Sequence, residues 1–248
     1  MLVLIAAYNE EDSLDEVLRA VATHVDGHAV DILVVDDGSD DATASIVERH
    51  EHASLARLGR NCGHGVALRL GYELAAEHGA SCVVTLDGDM QWDPREMPTV
   101  LAPVLAGEAD LCIGSRILGT DETVDSFRRS GVRVFAQLVS LLTGVHVTDT
   151  SSGFRAMRTE VCRSVPQTQV QYQTAELLIG AIAQGYRVVE RPVTMHRRLA
   201  GESKKGHNFL YGFRYARVTV STWLRERRRA RNQAEGTRAG REGWRAAR

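Results

Sequence analysis

Three short apolar runs in the first ninety residues each end on acidic or small polar side chains, and this pattern restricts the fold more than anything else in the chain. Leu2 to Ala7 leads into Tyr8-Asn9-Glu10, Ile32 to Val35 into Asp36-Asp37-Gly38-Ser39, and Cys82 to Leu86 into Asp87-Gly88-Asp89. A fourth run, Ala109 to Ile113, leads into Gly114-Ser115-Arg116. Short runs rich in β-branched residues predict strands buried on both faces. Helical spacing lies between them. Leu14, Val17, Leu18 and Val21 share one face, Ser39 or Asp40 caps a second helix, and Gly65 to Glu77 carries Ala67, Leu68, Leu70, Leu74 and Ala75. Strand then helix, repeated, predicts an α/β fold with a mostly parallel central sheet flanked by helices. Ligands of such sheets gather beyond the carboxyl ends of the strands, which is where these acids fall.

The second half is less regular. The pattern predicts a helix from Ser126 to Leu142, a polar loop from Asp149 to Arg155, a helix from Thr174 to Gln184 closed by Gly185, and a strand from Arg187 to Val193. A basic loop, Gly201 to Gly206, precedes a long helix from Phe209 to Arg229. The expected organisation is a catalytic domain over 1–206, a basic amphipathic helix over 207–231, and a disordered tail over 232–248. With 248 residues, 44% of them hydrophobic, the chain can bury a core without disulfides or metal staples.

Four scattered cysteines with no CxxC pair exclude a zinc ribbon and point to reduced thiols in a cytoplasmic protein. His24 and His28 flank a turn, Asp26-Gly27, which argues against a helical zinc pair. No basic leader precedes the first apolar run, and no run is long enough to span a bilayer.

The net charge of −2 hides an asymmetry. Residues 225–248 hold nine Arg and three Glu, which leaves the rest of the chain acidic. Tyr211, Phe213, Tyr215 and Trp223 precede the Arg run, as in helices that lie on an anionic membrane surface. The expectation is peripheral attachment at the cytoplasmic face of a membrane. An acidic body with few aromatic residues argues against nucleic acid as a partner.

Asp87-Gly88-Asp89-Met90-Gln91 is the sharpest chemical signal. Two carboxylates one residue apart at a strand end, with an amide oxygen beyond them, can hold Mg²⁺ or Mn²⁺ beside substrate phosphates. A carboxylate placed like Asp36 can accept from a ribose hydroxyl or a base. Asn61-Cys62-Gly63-His64-Gly65 is a glycine turn before a helix, a weak candidate for an anion site. Arg116, Arg128, Arg129, Arg155, Arg198, Lys204 and Lys205 are candidate phosphate clamps. Arg116 ranks first among them, because it follows a strand and a Gly-Ser turn.

Taken in order, Ala7 to Glu11, Val35 to Ser39, Asn61 to Ala67, Asp87 to Gln91, Gly114 to Arg116 and Asp149 to Arg155 resemble the inverting family 2 glycosyltransferases. Within that family the chain is most similar to the dolichyl- and polyprenyl-phosphate sugar synthases, down to a closing R-x-x-G-x-S-K at Arg198 to Lys204. The resemblance implies a GT-A, Rossmann-like fold. It implies that Ala7, Tyr8, Glu10, Asp36 and Asp87 line the nucleotide pocket, and that Asp87, Asp89 and Gln91 hold the metal. It also implies that Arg116, Arg128, Arg198, Ser203 and Lys204 meet phosphate, that Asp149 lies near the sugar, and that Asp89, Asp149 and Arg116 serve catalysis. Two positions depart from the family pattern: Ala7 replaces a proline, and Val132 stands where relatives place a serine.

The implied reaction moves a sugar from a UDP- or GDP-sugar to a polyprenyl monophosphate. A phosphate monoester has a second pKa of about 6, so it attacks as a dianion and needs no general base. A rival reading keeps the fold but takes a hydroxyl acceptor. A hydroxyl calls for a carboxylate base, for which Glu176 is the candidate. The alternative for Glu176 is a structural carboxylate supporting a nearby arginine. A non-catalytic membrane- or nucleic-acid-binding module is the remaining class.

Overall fold

The computed structural model describes residues 1–123, 126–198 and 209–246, and the side chains of all of these except 126–128, 209–211 and 233–246. The chain opens with β1 (Leu2–Ala7), α1 (Leu14–Ala20), a two-strand hairpin of β2 (His24–Val25) and β3 (His28–Ala29), and then β4 (Asp31–Asp36). It continues through α2 (Thr43–Glu48), β5 (Ala53–Arg57), α3 (His64–Glu77), β6 (Cys82–Asp87), a 3-10 turn (Pro94–Glu96) and α4 (Met97–Leu105). The second half holds β7 (Leu111–Asp121), α5 (Ser126–Thr143), β8 (Arg155–Arg158), α6 (Thr159–Ser164), α7 (Gln173–Ala183), β9 (Val188–Met195) and α8 (Phe209–Ala246).

Seven strands form one sheet in the order β5-β4-β1-β6-β8-β7-β9. β8 runs antiparallel to β6 and β7, whereas β5, β4, β1 and β6 pair in parallel, as do β7 and β9. β1 is buried on both faces, and its alternation explains the two cores. Val3, Ile5 and Ala7 pack with α1, α2 and α4, while Leu2, Leu4 and Ala6 pack with α3 and α7. Gly71 of α3 sits directly over Leu4, where any side chain would collide with it.

Chain order reverses at β1, with β4 on one side and β6 on the other. That switch opens a crevice at the carboxyl ends of these strands. The register is level there, with Ala7 opposite Asp36 and Ala6 opposite Asp87. The acids read from the sequence therefore meet at one edge.

Some expectations need correction. α2 is not capped by Ser39 or Asp40: the Ser39 hydroxyl is committed to Asp36, and Asp41 Oδ1 accepts from Thr43 N–H at 2.9 Å. α8 runs on to Ala246, through the stretch where composition predicts disorder. Ala, Arg and Glu, which are strong helix formers, recur there and carry the backbone past residue 232. The turn expected at Asp26-Gly27 is present, with His24 and His28 on the paired strands of its hairpin. The expected loop Gly201 to Gly206 lies outside the described residues. Among the described residues no helix is long and apolar enough to cross a membrane.

Candidate active site

Asp87 ends β6, and its carboxylate lies over Gly153, where a Cβ would come within 3.0 Å of it. Thr85 holds that glycine by donating to its carbonyl at 2.6 Å. Met90 takes a left-handed conformation, φ +58°, and turns the chain so that Gln91 N–H reaches Asp89 Oδ1 at 3.0 Å. Burial, then repulsion from Asp87, pushes the Asp89 carboxyl up to about 6. Glu10 adds to that repulsion, and Arg198 opposes it from 2.6 Å away. Glu10 thus belongs with the acidic cluster. The cluster carries surplus negative charge on hard oxygen donors, and with Gln91 it fits a divalent cation that also takes substrate phosphates. Among the described residues no three His, Cys, Asp or Glu side chains form a ready-made cage, so such an ion would need substrate oxygens.

The neighbouring strand ends are held by short bonds. Ala7, the last residue of β1, accepts Asp37 N–H at 2.8 Å, and Tyr8 follows it half-buried. Asp36 is fully buried, with Ser39 bonded to one oxygen and Arg57 Nε 3.0 Å from the other. Asp37, which the sequence did not single out, accepts from Cys62 N–H at 2.7 Å and Gly63 N–H at 2.8 Å. Those two donors are therefore spent on the protein, which weakens the glycine turn as an anion site. His64, at the end of the turn, brings Nε2 to 4.0 Å from Asp87 Oδ1.

The fold brings Arg116 and Asp149 together. Both are buried, and Arg116 Nε lies 2.6 Å from Asp149 Oδ2. Arg116 also stacks on Trp92, 5.1 Å from the ring centroid, and bonds Ser151 at 3.2 Å. Glu190 accepts from the backbone N–H groups of Thr148 and Asp149 at 2.8 and 2.9 Å. The pair is thus sealed into the scaffold, with the Arg116 guanidinium turned to Asp149, Ser151 and Met195. Trp92 and Glu190 have no local motif, and their partners are distant in the chain, so nothing in the sequence marks them.

Arg155 is also structural. It is buried and donates to the carbonyls of Ser152, Thr174 and Thr150. Glu176 is fully buried and accepts from Arg225 Nη1 at 2.7 Å, Thr168 Oγ1 and N–H, and Gln169 N–H. A carboxylate so enclosed is no general base. Tyr215 faces inward, between Phe135 and Tyr172, with its hydroxyl 2.7 Å from Thr150. Arg128 lies where side chains are not described, and Ser203 and Lys204 lie outside the described residues.

The family model described as glycosyl transferase family 2 matches residues 2–165. A dolichyl-phosphate hexose transferase of Haloferax volcanii is 33% identical over 92% of this chain and 96% of its own. A polyprenol monophosphomannose synthase of Mycolicibacterium smegmatis is 34% identical over 90% of this chain and 86% of its own. The fold matches glucosyl-3-phosphoglycerate synthase from Mycobacterium tuberculosis, solved with Mn²⁺, UDP and phosphoglyceric acid. The TM-score is 0.69 at 20% identity, covering 91% of this chain and 77% of that one. The architecture is the GT-A fold.

Proposed function

Because this chain belongs to glycosyl transferase family 2, we propose that it moves a sugar from a UDP- or GDP-sugar to a polyprenyl monophosphate, inverting the anomeric carbon. The observation that carries the acceptor class is that Asp149 and Glu176 are both sealed in ion pairs with arginine. A hydroxyl acceptor would need a free carboxylate base, whereas a phosphate dianion needs none. The names of the two relatives support the lipid-phosphate class.

In this reading half-buried Tyr8 meets the nucleoside, buried Asp36 holds Ser39 and Arg57 beside it, and Asp87, Asp89 and Gln91 would hold Mg²⁺ or Mn²⁺. Held there, such an ion would supply positive charge to the departing diphosphate. An acceptor phosphate oxygen forms a bond to the anomeric carbon as the bond to the β-phosphate oxygen breaks. The electron pair departs with the diphosphate, and no proton need move. Arg198 stands beside the cluster to meet phosphate oxygens, with Arg128, Ser203 and Lys204 assigned to the same task by motif. The buried Arg116–Asp149 pair holds the loop whose Gly153 lies against Asp87. The outer face of α8, with Phe213, Val220 and Leu224 among arginines, makes peripheral contact with anionic lipid.

The test is nucleoside diphosphate release with Mg²⁺ or Mn²⁺, a panel of UDP- and GDP-sugars, and a short polyprenyl phosphate. Release that requires the lipid phosphate and disappears in Asp89→Ala is the expected result. Release that requires a hydroxyl acceptor instead would overturn the acceptor assignment.

A further inference from the structure

Glu176 accepts four hydrogen bonds in a fully buried position, and every donor lies outside its own helix, α7. Its Oε2 receives both Thr168 N–H, at 2.8 Å, and Gln169 N–H, at 2.9 Å. Its Oε1 receives Thr168 Oγ1 at 2.8 Å and Arg225 Nη1 at 2.7 Å. Arg225 reaches in from α8 and donates through Nη2 to the Pro166 carbonyl at 3.1 Å. One carboxylate and one guanidinium therefore fix the backbone of residues 166–169.

That segment runs directly onto the glycine turn, Asn61 to Gly65. The Val170 carbonyl accepts Gly65 N–H at 2.9 Å, and the Gln169 carbonyl accepts Arg69 Nη1 at 2.9 Å. The Val170 side chain fills the space where a Cβ on Gly63 would stand, and the Gln169 and Val170 carbonyls do the same at Gly65. The other side of the turn is held by Asp37, and beyond it His64 faces Asp87. The turn is thus clamped between Asp37 and the 166–170 segment, with its far end at the acidic cluster.

We infer that Glu176 and Arg225 are positioning residues for the nucleoside diphosphate: they set the 166–170 segment against the glycine turn, and so set the turn against Asp37 and Asp87. The inference rests on the donor-site reading above. It gives α8 a task inside the enzyme, separate from any membrane contact of its outer face. Neutralising Glu176 breaks the arrangement, because an amide cannot present acceptors to two N–H groups on one side and to a guanidinium and a hydroxyl on the other.

The test compares wild type with Glu176→Gln, Arg225→Met and Arg225→Lys. Arg163→Met, an exposed change of equal charge on α6, serves as a control. Binding of UDP and of GDP with Mn²⁺ is measured by calorimetry, and thermal melts establish the folded fraction. The expected result is nucleotide binding about tenfold weaker in Glu176→Gln and Arg225→Met, partial recovery in Arg225→Lys, and no change in Arg163→Met. Donor KM rises in the same order, while kcat at saturating donor stays within about twofold of wild type. Wild-type affinity in a folded Glu176→Gln overturns the inference and leaves the functional reading standing. So does a fall in kcat with donor KM unchanged. Should Arg225→Met fail to fold, Glu176→Gln and Arg225→Lys decide by the same criteria. A wild type that binds neither nucleotide overturns the functional reading, and the inference with it.

Discussion

Arg198 holds its Nη2 2.6 Å from Oδ2 of Asp89, so a guanidinium sits on a carboxylate assigned to a divalent cation. The two positive charges compete for one site. Arg198→Gln removes the competitor, and the donor-free protein is expected to bind Mn²⁺ about tenfold more tightly, in line with a charge-assisted bond of about 1.5–3 kcal/mol. Turnover falls in the same variant, because phosphate loses a ligand. Free Mn²⁺ counted by electron paramagnetic resonance, at a pH well above the titration of Asp89, checks this. Equal or weaker Mn²⁺ binding would show that the contact does not oppose the metal.

The Arg116–Asp149 pair makes a different prediction. Each partner is buried, so removing one strands the other's charge. Arg116→Ala and Asp149→Ala are each expected to cost roughly 3–5 kcal/mol. The double variant should cost clearly less than the sum, since it strands nothing. Urea unfolding at neutral pH measures all three. Additive costs would mean that the pair is not coupled.

The acids of this site were legible in the sequence because buried parallel strands read as continuous apolar runs, and the residues just past such a run lie at the sheet's carboxyl edge. Asp36, Asp87 and Asp89 all fell there for that reason. The partners of Arg116 were not legible. Asp149 is 33 residues away, and a lone Arg after a strand looks the same whether it faces solvent or a buried carboxylate. β8 was hidden too. Its Arg-Ala-Met-Arg reads as polar, yet Arg155 is buried because three carbonyls meet its guanidinium. β5 is a half-buried edge strand with no clear alternation. Tyr215 read as an interfacial aromatic, and only the packing of α8 against Phe135 and Tyr172 turns it inward.

Phe213, Val220 and Leu224 are exposed along one face of α8, and Arg214, Arg217 and Arg228 are exposed beside them. Each arginine near an anionic surface contributes about 1 kcal/mol, and the apolar stripe adds insertion. Phe213→Ser combined with Leu224→Ser should lower the fraction sedimenting with anionic vesicles, and added salt should lower it further. Nucleotide binding in solution stays as in wild type. Unchanged sedimentation would remove this face from the membrane contact.

Asp110 lies at the amino end of β7, away from the acidic cluster, and bonds both Arg187 and Arg158. The hydrogen bond from Arg187 is the main reason its carboxyl stays below the ordinary 3.8. A carboxyl depressed in the folded state stabilises the fold at every pH above the unfolded value. That contribution is lost as pH falls through the folded value. Asp110→Asn should therefore melt lower than wild type at pH 7, and the gap should hold down to about pH 5. Below the ordinary carboxyl value the two curves converge, because the wild-type carboxyl then protonates as well. Thermal melts of both proteins across the acid range provide the check, and a gap that persists undiminished below pH of about 2 would show that the side chain acts through shape and not through charge.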